Sequence, residues 1–262
     1  MGATDKDLVA SAYYAYSTQL LIKAGKALEL SMGAYEQLYS RVVEAFQRRF
    51  MPDGRLISDT QTAHVLAIYF QLTPDREKTA ARLAELIREN GCRLSTGFVG
   101  TPYLLHALSS TGYGELAYSL LLQQEYPSWL YSVNKGATTI WEHWDGIKPD
   151  GSMWSSDMNS FNHYAYGAVA DWMYGVMAGI QTDESRPGFG HVIFAPIADA
   201  RLDWVKAAID TRHGRVESSW RRVGEKVEYT FTIPEGATGE ARIGGKVLQL
   251  EAGIHHYSSV LL

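Results

Sequence analysis

The feature that most constrains this chain is a change of hydrophobic period partway along it. From Asp5 to about Ile180 apolar residues recur at helical spacing, and beyond Gln181 they alternate in short runs. A chain with that switch builds two kinds of core, one from helices and one from sheets. Leu8, Ala12, Ala15, Leu20, Ala24 and Leu28 mark a first helix, with Asp5 or Asp7 available as its N-cap. Gly33 punctuates, and Tyr35, Leu38, Val42, Val43 and Phe46 carry a second. Met51-Pro52-Asp53-Gly54 reads as a turn. A third helix follows Ser58-Asp59 through Val65 and Tyr69. Pro74 opens a fourth, with Leu83, Leu86 and Ile87, and Asn90-Gly91 closes it. Two shorter helices are expected over 102–108 and 115–124. A long aromatic loop then covers 126–159, and a seventh helix is expected over 160–180.

These are helical hairpins in series with short links and no strict repeat at a fixed period, the pattern of an all-α stack or toroid. Ser185-Arg186-Pro187-Gly188-Phe189-Gly190 reads as a linker. After it, strands are expected over 191–194, 205–210, 215–221, 226–233, 241–243 and 246–250, which make a small antiparallel β-sandwich. The class is therefore mainly α with a β tail. The expected domains are 1–182 and 183–262.

Composition removes several functions. A net charge of -5 gives no electrostatic reason to expect nucleic acid or an anionic membrane as a partner. No stretch is long and apolar enough to span a bilayer, since even the run from Val169 to Ile180 contains Asp171. Cys92 stands alone, so no intrachain disulfide forms. The polar start has no apolar core for a signal peptide and favours a cytoplasmic placement. The first residues of a fragment, however, say nothing about export of its parent. Aromatics make up 12% of the chain, which fits stacking on sugar faces and large aromatic cores equally well.

Common catalytic motifs are missing. No His-Glu-x-x-His occurs, and His143, His163 and Asp145 lack zinc spacing, so no metal or cofactor is expected. No Gly-x-Ser-x-Gly elbow occurs either. Gly244-Gly245 before Lys246 is a hairpin turn rather than a phosphate loop. The dense region lies between Trp129 and Trp172, where five of the seven tryptophans fall. Within it, Trp141-Glu142-His143-Trp144 sets a carboxylate between two indoles. Glycosidase chemistry needs carboxyl groups tuned by such surroundings, but capping a helix or pairing with a basic residue would also account for Glu142. His163, in Asn162-His163-Tyr164, is placed at a helix N-terminus from which it could reach a cleft or serve as a packed structural histidine. Asp150, Asp157 and Asp171 are weaker candidates. The glycine-punctuated loop from Thr96 to Tyr103 could line a pocket or simply join two helices.

Four stretches together resemble the bacterial α-L-rhamnosidases of glycoside hydrolase family 78. They are Ser58-Asp59-Thr60-Gln61-Thr62-Ala63, the run from Thr96 to Leu105, the run from Ala137 to Gly146, and the run from Met158 to Gly167. Order and spacing match as well as letters, and the likeness extends into the β-rich tail. It implies an (α/α)6 toroid followed by a small β-sandwich, and hydrolysis of terminal non-reducing α-L-rhamnosyl groups with inversion. It further implies that Glu142 is the general base, that His163 contacts the sugar, and that Trp144 and Trp141 help bind L-rhamnose-containing glycosides. The family's general acid lies in an acidic Asp-Glu-Arg-like stretch upstream, and none is present between Met1 and Arg55. Seven helices also fall short of twelve. The expectation is therefore the second half of a toroid, inactive alone. Its helix faces carrying Tyr13, Tyr16, Leu20 and Val65 would lack partners, and the chain would self-associate. Another toroid glycosidase, or a non-catalytic sugar-binding remnant, are the alternatives.

Overall fold

The computed structural model describes residues 4–261. The chain divides into two compact units, 1–168 and 169–262.

The first unit is built from helical hairpins. α1 (Lys6–Ala27) packs on α2 (Gly33–Phe50), α3 (Gln61–Tyr69) on α4 (Arg76–Glu89), and α5 (Thr101–Ser109) on α6 (Gly114–Leu121). Side-chain caps start them where the sequence places short polar residues. Asp5 accepts from the N–H groups of Asp7 and Leu8, Thr60 from Ala63, and Asp75 from Lys78. The fourth helix thus begins after Asp75, and Pro74 precedes its cap. α3 is buried from Gln61 to Ile68, which makes it the central helix of the unit. It touches α1, α4 and α5. Leu8, Ala12, Ala15, Phe46, Phe50, Leu66 and Phe70 form one core cluster.

Three of the four residues expected to lack partners have them. Val65 is fully buried. Tyr16 stacks on Phe70 at 4.0 Å, and Tyr13 meets the edges of Phe70 and Tyr103. Leu20 is exposed.

Two elements of this unit differ from the expectation. A short helix, α7 (Trp129–Asn134), interrupts the aromatic loop, capped by the Ser128 hydroxyl. The helix expected over 160–180 does not start at Ser160. Residues 160–163 run alongside 139–142 instead: Glu142 N–H donates to Ser160 O at 2.9 Å, and His163 N–H to Ile140 O at 2.8 Å. Backbone groups committed to that pairing cannot also open a helix. The helical path begins with a 3-10 turn, Ala165–Ala168.

The second unit opens with α8 (Val169–Trp172) and a π-helical turn, Met173–Met177. Two four-stranded sheets follow. β1 (Ile180–Thr182), β2 (His191–Phe194), β6 (Thr238–Ile243) and β7 (Lys246–Leu250) form one, in the order β1-β2-β6-β7. β3 (Trp204–Thr211), β4 (Gly214–Val223), β5 (Lys226–Ile233) and β8 (Gly253–Val260) form the other, in chain order. All pairs are antiparallel except β2 with β6, which is parallel. Alternate residues point inward, so Val192, Phe194, Val216, Trp220, Val227, Tyr229 and Phe231 share one core. Trp220 Nε1–H and Ser218 Oγ–H donate to the carbonyls of Met177 and Ala178, tying the π-helical turn to β4. Gly179 has a φ of +75°, and an added Cβ would sit 2.1 Å from Pro196 N, so only glycine fits between that turn and β1. No helix among the described residues is long and apolar enough to cross a membrane.

Candidate active site

The site grows out of α3. Gln61 is buried, and both ends of its amide are satisfied across a gap in sequence: Nε2 donates to Arg93 O at 3.0 Å, and Oε1 accepts from Ser95 N–H at 2.7 Å. A buried amide needs such partners, and here they fix the segment entering the 96–103 loop. Thr62 sits under Gly100 so closely that a Cβ there would lie 2.9 Å from its hydroxyl. The loop is closed by Thr96 and Thr101, whose hydroxyls meet at 2.8 Å, and by Tyr13, whose hydroxyl donates to Val99 O at 2.9 Å. The Ser58–Ala63 motif therefore positions the 96–103 loop.

That loop presents Phe98. His163 stacks on Phe98 at 4.8 Å with the planes 7° apart, and Phe98 also meets Tyr166 at 5.0 Å. Tyr166 stacks on Trp144 at 3.8 Å, and Trp144 meets the edge of Trp129 at 5.2 Å. Trp144 Nε1–H donates to Thr96 O, and Trp129 Nε1–H to Tyr166 O. One continuous aromatic wall thus links the loop, the Trp141–Trp144 segment and the Asn162–Tyr166 segment. Phe98 and Tyr166 hold it together, and neither is marked in the sequence by anything beyond its place in those motifs.

Glu142 is held from two sides. Its Oε2 accepts from Ser160 N–H at 3.2 Å, and its own N–H donates to Ser160 O. Thr139 Oγ–H bonds Phe161 O, and Asn159 Nδ2–H donates to Gly146 O at 2.9 Å, so the two segments are laced at both ends. The Glu142 side chain keeps about a fifth of its surface open (19%), and its Oε1 lies 4.0 Å from His143 Nε2. That Nε2 is buried with no hydrogen-bond partner among the described residues. The His143 ring is clamped flat on Trp154 at 3.6 Å. Burial pushes the Tyr166 hydroxyl up to about 12, with Tyr126 and Glu142 adding in the same direction, so it stays a neutral donor across the ordinary pH range.

A cleft of about 950 Å³ opens beside this wall, lined among others by Phe98, Tyr103, Ile140, His163 and Tyr164. His163 reaches it from a loop, not from a helix N-terminus, and its Nδ1 accepts from Ala165 N–H at 3.3 Å. Glu142 is not among the lining residues, although Ile140, two positions before it, is. Trp141 and Trp144 are both buried, Trp141 against Phe161 and Trp144 against Tyr166, so neither presents an open ring face. Asp150 and Asp157 lie in surface turns, each paired with neighbouring serines. Asp171 belongs to α8. Among the described residues no group of three or more His, Cys, Asp or Glu side chains is placed to hold a metal ion.

Comparison with known proteins agrees with this layout. Residues 1–177 match the family model of the bacterial alpha-L-rhamnosidase 6 hairpin glycosidase domain, and residues 179–255 that of the bacterial alpha-L-rhamnosidase C-terminal domain. An alpha-L-rhamnosidase of Streptomyces avermitilis is 40% identical over 92% of this chain, and one of Formosa agariphila 38% identical over 92%. The chain covers 23% and 27% of their lengths, about a quarter. The crystal structure of the Streptomyces avermitilis alpha-L-rhamnosidase complexed with L-rhamnose superposes with a TM-score of 0.94 at 36% identity. It covers 98% of this chain and 27% of its own. The helical hairpins, the two-sheet tail and matches at this level of identity show that the chain belongs to the bacterial α-L-rhamnosidase family.

Proposed function

We propose that this chain supplies the general-base half of an inverting α-L-rhamnosidase site, acting on terminal α-L-rhamnosyl groups. The observation that carries the reading is the lacing of residues 139–142 to 160–163. It fixes Glu142 by one oxygen and sets His163 on the neighbouring cleft wall. A base must be oriented and still be reachable by water, and Glu142 is both. The unpartnered His143 Nε2 beside Oε1 supports the same reading, because a polar group brought against the carboxylate would satisfy it as well. His163 contacts the sugar in this proposal. Trp141 and Trp144 serve as the packed backing of the binding site. Inversion needs a second carboxyl group about 6.5–9.5 Å from the first. We place that acid outside these 262 residues. Catalysis is assigned within 1–182, and 183–262 carry the rest of the β-sandwich that β1 begins.

The cleft role of His163 has its own test. In a chimera in which the upstream part of the catalytic domain is supplied by the Streptomyces avermitilis relative, His163→Ala should lower kcat/KM for a rhamnoside by about 1–3 kcal/mol, the cost of one sugar hydrogen bond. Its melting temperature should move little, since the half-buried ring is held by stacking on Phe98 and one hydrogen bond from Ala165 N–H rather than by a buried network. Unchanged kinetics with a large loss of stability would make His163 a packing residue.

A further inference from the structure

The β-sandwich carries an indole that its own core does not use. Trp220 of β4 is buried at the centre of the sandwich, whereas Trp204, the first residue of β3, is 67% exposed. Strand register shows what surrounds it. Trp204 lies opposite Arg221, and Arg221 opposite Glu228; one rung along, Lys206 lies opposite Ser219, and Ser219 opposite Thr230. Because side chains alternate along a strand, these six share one outward face, while Trp220 and Tyr229 between them are buried in the core. They border a shallow cleft of about 290 Å³. Arg221 and Glu228 are paired at 2.8 Å, both at least half exposed, so a cationic donor and an anionic acceptor stand side by side next to the indole.

We propose that this face binds a neutral saccharide, with the Trp204 ring against the C–H face of a pyranose and the Arg221–Glu228 pair on its vicinal hydroxyls. The alternatives fit less well. An anion would meet Glu228 and a guanidinium already paired. A fully apolar partner would have to desolvate Lys206 and the ion pair, at a cost nothing here offsets. A sugar is apolar on one face and lined with hydroxyls at its edge, and so matches both halves of the site. The proposal goes beyond the cleft of the helical unit and does not depend on it.

An open site with few hydrogen bonds should bind in the millimolar range. Calorimetric titration of the 262-residue chain with maltohexaose, which carries no rhamnosyl group, should show saturable binding. Trp204→Ala should weaken that binding about tenfold or more. Should Trp204→Ala lose its cooperative melt, Arg221→Ala carries the same comparison. No binding by the parent chain into the tens of millimolar overturns the proposal, and so does parental affinity in the Trp204 variant.

Discussion

Glu142→Gln, in a chimera carrying the upstream part of the domain from a relative, should lower kcat by at least about a thousandfold, on the order of 4 kcal/mol in barrier. The substitution is nearly isosteric. The hydrogen bond from Ser160 N–H to Oε2 can pass to the amide oxygen, so the lacing between 139–142 and 160–163 survives. What disappears is the capacity to take a proton from water. Stability should therefore stay near parental while turnover collapses, and steady-state rates beside a thermal melt read both. Near-parental turnover would remove Glu142 from the mechanism.

The second large effect concerns the chain by itself. The 262 residues alone should not hydrolyse a natural rhamnoside, because general-acid assistance typically contributes about 10²–10⁴-fold and an alkoxide leaving group depends on it. A p-nitrophenyl rhamnoside needs that proton less, so it is the sensitive substrate for detecting residual activity. The surface points to association as well. α1 is apolar on two sides: Leu8, Ala12, Ala15 and Ile22 are buried, while Tyr14, Leu20 and Leu21 are exposed on the other. An uncovered apolar stripe on a helix surface drives self-association. Light scattering should show oligomers, and a long-incubation assay should show no turnover of the natural substrate. A monodisperse, active monomer would overturn both expectations.

Much of the fold is legible in the sequence because its rules are local. The 3.6-residue period, with Asp5, Ser58-Asp59, Pro74 and Asn90-Gly91 as punctuation, locates α1 to α6, although the third and fourth caps fall at Thr60 and Asp75, and alternation with the Gly244-Gly245 turn locates most strands. The failures are the non-local parts. α7 is six residues long and hidden among aromatics, so periodicity cannot find it. β8, with His255, His256, Ser258 and Ser259, is too polar to read as a strand until its pairing with β5 is seen. The missing start of the seventh helix has the same origin: residues 160–163 look helical alone but are claimed by 139–142. Within the site, Glu142 and His163 stand out by residue type and motif. The aromatic wall through Phe98, Tyr166 and Trp144 exists only once three distant segments meet. An open stacking face could be imagined for Trp144 from sequence, whereas the fold covers it with Tyr166.

The central claim, water activated by Glu142 for direct displacement at the anomeric carbon, is tested most directly by watching which anomer forms first. Proton NMR of the active chimera acting on p-nitrophenyl α-L-rhamnoside, recorded before mutarotation equilibrates the product, should show β-L-rhamnose appearing first. The α anomer appearing first would mean net retention by a double displacement, and would contradict a base-and-water role for Glu142.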